Sequence, residues 1–281
     1  MTNKNKRSYL VPVPSEFFLR EDDIDKSPIL EIRHLGVDFG GLTAVEDFNM
    51  ILGRTEIAGL IGPNGAGKTT VFNLLTNEID ATRGSIMIDG YDTKGKKPYE
   101  ICKMGVARTF QNIRLFKNMT VLENVKTGLH NEMKYSVAEA LFRLPRYWHY
   151  ESVSESRAME LLSFFNLEEM AEMKAGALPY GAQRKLEIVR ALATNPSVLL
   201  LDEPAAGMNP SETIELMNNI RLIRDKFKIA VLLIEHDMNL VMNICDGIIV
   251  LNYGKIIAKG TPEEIMVNPV VIEAYLGSSE E

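Results

Sequence analysis

The chain has 281 residues, 46% hydrophobic and 25% charged, an ordinary globular composition with room for one large core plus an inserted or flanking subdomain. A net charge of −7 argues against dedicated nucleic-acid binding, which needs a basic footprint. No apolar run approaches the roughly 20 residues of a bilayer span, there is no signal-peptide block, and Cys102 and Cys245 have neither metal-ligand spacing nor the number for a disulfide framework; a soluble chain in a reducing cytoplasm is expected, attached to a membrane only through another protein.

Residues 1–27 are polar, mixed in charge and interrupted by Pro12 and Pro14, and are expected to form a partly disordered extension. Its Lys4-Asn5-Lys6-Arg7 patch reads as solvated, with phospholipid headgroups as the alternative, and Phe17-Phe18-Leu19 could dock on the body. Strand-like spacing begins with Ile29, Leu30, Ile32, Leu35, Val37 and Phe39, stops at Gly40-Gly41, and resumes over 44–52. Phe39 is either a core residue of a sheet or an aromatic placed to stack on a base.

Residues 57–61 form an apolar run of strand type. It breaks into Gly62-Pro63-Asn64-Gly65-Ala66-Gly67-Lys68-Thr69, which fits the spacing G-x-x-x-x-G-K-[ST], and a helix-like segment starts at Thr70. Glycines let successive backbone N–H groups turn inward, and the helix N-terminus adds partial positive charge. Lys68 supplies a full charge for the β- and γ-phosphates and the Thr69 hydroxyl can ligate Mg²⁺. Strand, loop and helix together predict a nucleoside-triphosphate site.

Residues 82–90 alternate between turn signals, as an antiparallel flap would. The segment 106–111 reads as a strand ending on Gln111, at a carboxyl end where Mg²⁺ or an attacking water could sit. From 112 to 176 the pattern is helical. Within it, 141–150 is aromatic and basic, either a partner- or membrane-facing surface or a packed helix junction. A helix runs from about 178 to 194, ended by Asn195-Pro196. Four apolar residues, 198–201, then lead into Asp202-Glu203, carboxylates at the end of a strand buried on both faces. Asp202 can hold Mg²⁺ through water and Glu203 can take a proton from the attacking water. A helix starts at Asn209-Pro210. The run 229–234 is another buried strand, and His236 beyond it is a candidate γ-phosphate contact. A hairpin over 248–258 and a capping box at 261–264 close the pattern.

The phosphate loop, Gln111, the helix start at Gly181, Leu201-Asp202-Glu203-Pro204 and His236, in this order, resemble the ATP-binding subunits of ABC transporters over about 29–277. The resemblance implies an α/β fold, a RecA-like P-loop NTPase core with an antiparallel β subdomain and an α-helical subdomain inserted at about 112–181. It implies ATP and Mg²⁺ as ligands. It makes Phe39 the adenine-stacking aromatic, Gly62 to Thr70 the Walker A loop, Gln111 the Q-loop glutamine, and 178–183 the signature offered to a partner's ATP through Gly181. Asp202 and Glu203 become Walker B and the catalytic base, and His236 the switch histidine. Residues 39–45, 107–116, 203–210 and 234–238 further resemble the G-type subunits of high-affinity branched-chain amino-acid uptake systems. Such a subunit works with a second ABC ATPase subunit, two membrane permease subunits and an extracytoplasmic amino-acid-binding protein, at the cytoplasmic face of the membrane. Importers of amides or urea and non-transport ABC ATPases are the alternatives.

Four positions depart from the general ABC pattern. The signature serine is replaced by Pro179, the next glycine by Tyr180, the later glutamine by Ala182, and the D-loop aspartate by Asn209. The signature this chain lends has therefore lost a hydroxyl, while its own Walker motifs look complete.

Overall fold

Two long strands come first, β1 (Pro28–Phe39) and β2 (Leu42–Gly53), joined by the Gly40-Gly41 turn. The computed structural model describes residues 24–130 and 136–276. The expectations for Lys4 to Arg7 and for Phe17 to Leu19 lie outside them. β1 also pairs antiparallel with β4 (Arg83–Ile88), which pairs with β5 (Tyr91–Asp92), so one sheet has the order β2-β1-β4-β5. This is the flap expected from the alternation over 82–90.

The second sheet is built around three five-residue runs that are buried throughout: β3 (Ile57–Ile61), β7 (Val198–Asp202) and β8 (Ala230–Ile234). Such runs suit a parallel sheet covered on both faces. β6 (Val106–Arg108) and β9 (Gly247–Asn252) extend it in parallel and β10 (Lys255–Gly260) closes one edge antiparallel, giving β10-β9-β3-β8-β7-β6. β6 is shorter than the sequence suggests. It ends at Arg108, and Gln111 lies three residues beyond it in a loop.

The strand pleat sorts the core into two layers. Ala58, Leu60, Val198 and Leu200 face one cluster, shared with β1, β2 and α1 (Lys68–Leu75). Ile57, Ile61, Leu199 and Leu201 face the other. That cluster also takes in α3 (Val121–Leu129), α5 (Pro145–Ser163), α6 (Tyr180–Leu192), α7 (Pro210–Phe227) and α8 (Met238–Ile244). The helical stretch between β6 and β7 thus shares its buried cluster with the sheet. Fully burying one such aliphatic side chain contributes about 1.5–3 kcal/mol, so this shared layer holds the helices firmly to the strands. α2 (Pro98–Met104) precedes β6, α4 (Val137–Leu141) precedes α5, and α9 (Pro262–Met266) and α10 (Pro269–Leu276) end the described chain. α9 begins at the capping box read at 261–264, with Thr261 accepting from the Glu264 amide.

Candidate functional site

The phosphate loop connects β3 to α1, and its geometry requires glycine at two points. Gly62 has φ of 150°, and a Cβ there would lie 1.9 Å from the Leu251 carbonyl oxygen. Gly67, the residue before α1, has φ of 103°, and a Cβ there would lie 2.8 Å from the Ala44 carbonyl oxygen. Both positions demand a conformation and a closeness that a side chain would block. Lys68 curls over the loop and donates to the carbonyls of Gly62 at 2.6 Å and Pro63 at 2.9 Å. Burial pushes its ammonium pKa down, and the Glu203 and Asp202 carboxylates oppose that shift.

Asn64, Gly65, Ala66, Gly67, Lys68, Thr69 and Thr70 line a cleft of about 470 Å³. Glu203 and His236 stand across from the loop, and Leu42, Thr43 and Ala44 of β2 form a side wall. Phe39 is not part of that wall; it pairs with Leu42 across the hairpin and is 45% exposed. Gly62 and Pro63 line an adjoining groove of about 740 Å³, with His236 and with Tyr275 of α10. The Tyr275 phenol is raised by burial, against a hydrogen bond with the Gly62 backbone.

Glu203 follows β7 in the left-handed region, at φ of 47°, with its amide bonded to the Ile234 carbonyl at 2.9 Å. A non-glycine residue in that region is strained and is kept there by its surroundings. Gln111 Nε2 donates to Glu203 Oε2 at 2.6 Å, and His236 Nε2 lies 3.0 Å from Glu203 Oε1. Three residues from three separate strand ends therefore meet on one carboxylate. Asp202 sits behind it, with Oδ2 accepting from Arg108 at 2.8 Å. Arg108 grips this one oxygen of the carboxylate, Oδ2.

The donors present suit Mg²⁺. Thr69 Oγ1 and Asp202 carry oxygen atoms of the kind Mg²⁺ takes, and that ion is generally held by one or two carboxylates together with phosphate oxygens rather than by an all-protein cage.

Gly181 lies elsewhere, in the first turn of α6. It borders a small recess with Pro179, Ala182, Lys185, Met208 and Glu212. The Tyr180 hydroxyl donates to the Ala206 carbonyl at 2.9 Å, tying the start of α6 to the loop before α7. Asn209 is the residue capping α7; its Oδ1 accepts from the amides of Ser211 and Glu212 at 3.0 Å each.

Sequence reasoning passed over three residues that support the site. Glu235, 3% exposed, accepts from the Ala205 amide at 2.7 Å and the His236 amide at 3.0 Å; burial pushes its carboxyl up and these donors pull it back. Arg184, 1% exposed, donates to the carbonyls of Phe110 and Gln111 and so fixes the loop that carries Gln111. Arg108 holds Asp202. The sequence neighbours of these three residues carry no sign of such contacts, and only Glu235 had a local cue, its place directly after a buried strand.

The model of the ABC transporter family matches residues 45–206. The chain belongs to the ABC transporter ATP-binding family. A second model, described as a branched-chain amino acid ATP-binding cassette transporter, matches 255–281. Among curated relatives, the high-affinity branched-chain amino acid transport ATP-binding protein BraF of Pseudomonas aeruginosa is 47% identical over 252 residues, covering 90% of this chain and 99% of its own. LivG of Escherichia coli, of the same description, shows the same identity and coverage. Among solved structures, the ADP conformation of an ATP-binding cassette of an ABC transporter superposes with a TM-score of 0.78 at 32% identity, covering 89% of this chain and 99% of that one. An ABC ATPase binds nucleotide, and no helix among the described residues is long and apolar enough to cross a membrane.

Proposed function

We propose that this chain is the ATP-hydrolysing subunit powering import of branched-chain amino acids through a membrane permease, and that Glu203 is its catalytic base. The observation that carries the catalytic part is the Glu203 carboxylate, at the rim of the phosphate-loop cleft and held by both Gln111 and His236. The cargo assignment rests on the branched-chain family match at the C-terminal end and on the descriptions of BraF and LivG.

In this reading the loop amides and Lys68 cradle the phosphates, with Lys68 leaving its carbonyl partners to meet the β- and γ-oxygens. Thr69 and Asp202, with Gln111 nearby, would hold Mg²⁺, which would supply positive charge to the phosphoryl oxygens. Glu203 accepts the proton of the attacking water, and His236 contacts the γ-phosphate. Phe39, at the tip of the β1–β2 hairpin, reaches the adenine. Gly181 and the α6 N-terminus serve the ATP of a second ATPase subunit, since within one chain they lie away from the cleft. Two permease subunits and an extracytoplasmic binding protein complete the assembly, with this chain at the cytoplasmic face. Residues 1–27 act as an extension, and the helical stretch from 112 to 181 as the subdomain facing the permease through the loop after Gln111.

The test is Glu203→Gln in the assembled transporter. ATP affinity is expected to stay close to wild type while turnover disappears; hydrolysis at the wild-type rate removes Glu203 as the base.

A further inference from the structure

Arg108 is a charged residue whose guanidinium sits between the end of β7 and α1, and the mechanism above does not use it. Its side chain is 6% exposed. One arm of its guanidinium, Nη2, donates to Asp202 Oδ2 at 2.8 Å; the other, Nη1, donates to Asn73 Oδ1 of α1 at 2.8 Å and lies 3.8 Å from Glu78. The plane is braced by aromatic rings, with Phe72 at 5.5 Å and Phe110 at 4.9 Å, and Arg114 covers Phe110 at 3.6 Å.

A guanidinium gripped at both arms and stacked on rings is rigid, and a rigid fork fixes the carboxylate it holds. Asp202 is itself buried, so without Arg108 its carboxylate would lose its direct ion pair. The pairing engages Oδ2 alone. A carboxylate has two oxygens and about four acceptor sites, so one can serve the arginine while Oδ1 serves a second cation or its water.

We propose that Arg108 is the positioning residue for the divalent-cation site: by clamping Asp202 Oδ2 to Asn73 it registers Oδ1 against the helix that carries Thr69. The clamp joins the end of β7 to α1, the two elements that must supply the cation's ligands from one geometry. This rests on the reading of Asp202 and Thr69 as cation ligands. Partners that orient a metal ligand from outside the coordination sphere change metal affinity by about 10–100-fold when altered.

The experiment is a Mg²⁺ titration of binding of a fluorescent ATP derivative to the purified full chain, read at fixed nucleotide, for wild type, Arg108→Lys and Asn73→Ala. Lysine keeps the charge but loses the fork, and the Mg²⁺ concentration for half-maximal binding should rise by about ten-fold or more. Asn73→Ala frees one arm in a partly exposed place, so it keeps the test open if Arg108→Lys does not fold; its shift should run the same way, by about 2–10-fold. Nucleotide binding without Mg²⁺ should be the same in all three. Lower unfolding midpoints with unshifted Mg²⁺ dependence would make Arg108 purely structural and overturn the proposal. A fall in the Mg²⁺ requirement would overturn it too, because Arg108 would then be competing with the cation. If the wild type itself shows no Mg²⁺ dependence, the cation-site reading fails first, and the proposal with it.

Discussion

Gln111 donates through Nε2 to Oε2 of Glu203 at 2.6 Å, across a span of sequence that includes the helices between β6 and β7. His236 holds the other oxygen at 3.0 Å. Two partners on two oxygens leave the carboxylate a single orientation, and at φ of 47° its backbone is equally constrained. Gln111→Ala and His236→Ala should each reduce turnover by about 10–100-fold, and the double variant by less than the product, because both act on the same group. Steady-state ATP hydrolysis by the four assembled complexes measures this. A fully multiplicative double variant would mean that the two residues act separately.

Asn209 stands where the general ABC pattern has aspartate, and in this fold it is an N-cap. Its Oδ1 accepts from two amides of α7 and from the Ser211 hydroxyl at 2.7 Å, and Glu212 Oε2 accepts in return from the Asn209 amide at 2.9 Å. Asn209→Ala should cost about 0.5–2 kcal/mol of stability, whereas Asn209→Asp should keep the cap. Urea unfolding of the isolated chain gives both numbers, and an alanine variant as stable as wild type would show the cap to be idle.

Pro179 precedes α6 in an extended conformation, φ −55° and ψ 153°, with no side-chain cap on the helix. Serine tolerates those angles and supplies the hydroxyl that the signature lacks. Pro179→Ser is therefore expected to raise turnover or ATP affinity of the assembled transporter severalfold. If neither moves, the lost hydroxyl is not what limits the site this signature completes.

Tyr180 replaces a glycine of the signature and bonds the Ala206 carbonyl. Tyr180→Phe keeps the ring and deletes the bond, at about 0.5–1.5 kcal/mol. The fold should tolerate that loss, but a signature that is no longer tied to the loop before α7 should weaken ATP-driven pairing with the partner subunit. Sedimentation of the two ATPase subunits with ATP reports it; unchanged pairing would leave the bond a local one.

Both cysteines are free, and burial raises both thiols, Cys245 far above the thiol range. A raised thiol pKa means less thiolate at neutral pH and slower alkylation. Neither should react with iodoacetamide at pH 7 within minutes in the folded chain, Cys245 being the slower, and both should react in denaturant. Intact-mass spectrometry distinguishes these outcomes.

The local features of this protein were legible in the chain alone. The phosphate loop needs closely spaced glycines followed by a lysine, and the buried strands need unbroken apolar runs, so both are written in nearby residues. The order of motifs was enough to point to an ABC ATPase. Tertiary structure decided what adjacency cannot encode. The length of β6 was overestimated because Thr109 and Phe110 continue a strand-like pattern after pairing with β7 has ended at Arg108. The grip on Glu203 joins residues 111, 203 and 236, and the Arg108 clamp joins 73, 108 and 202, none of them neighbours in sequence. Arg108, Arg184 and Glu235 read as ordinary charges because burial, and the need to satisfy a buried charge, exists only once the sheet and helices have closed around them.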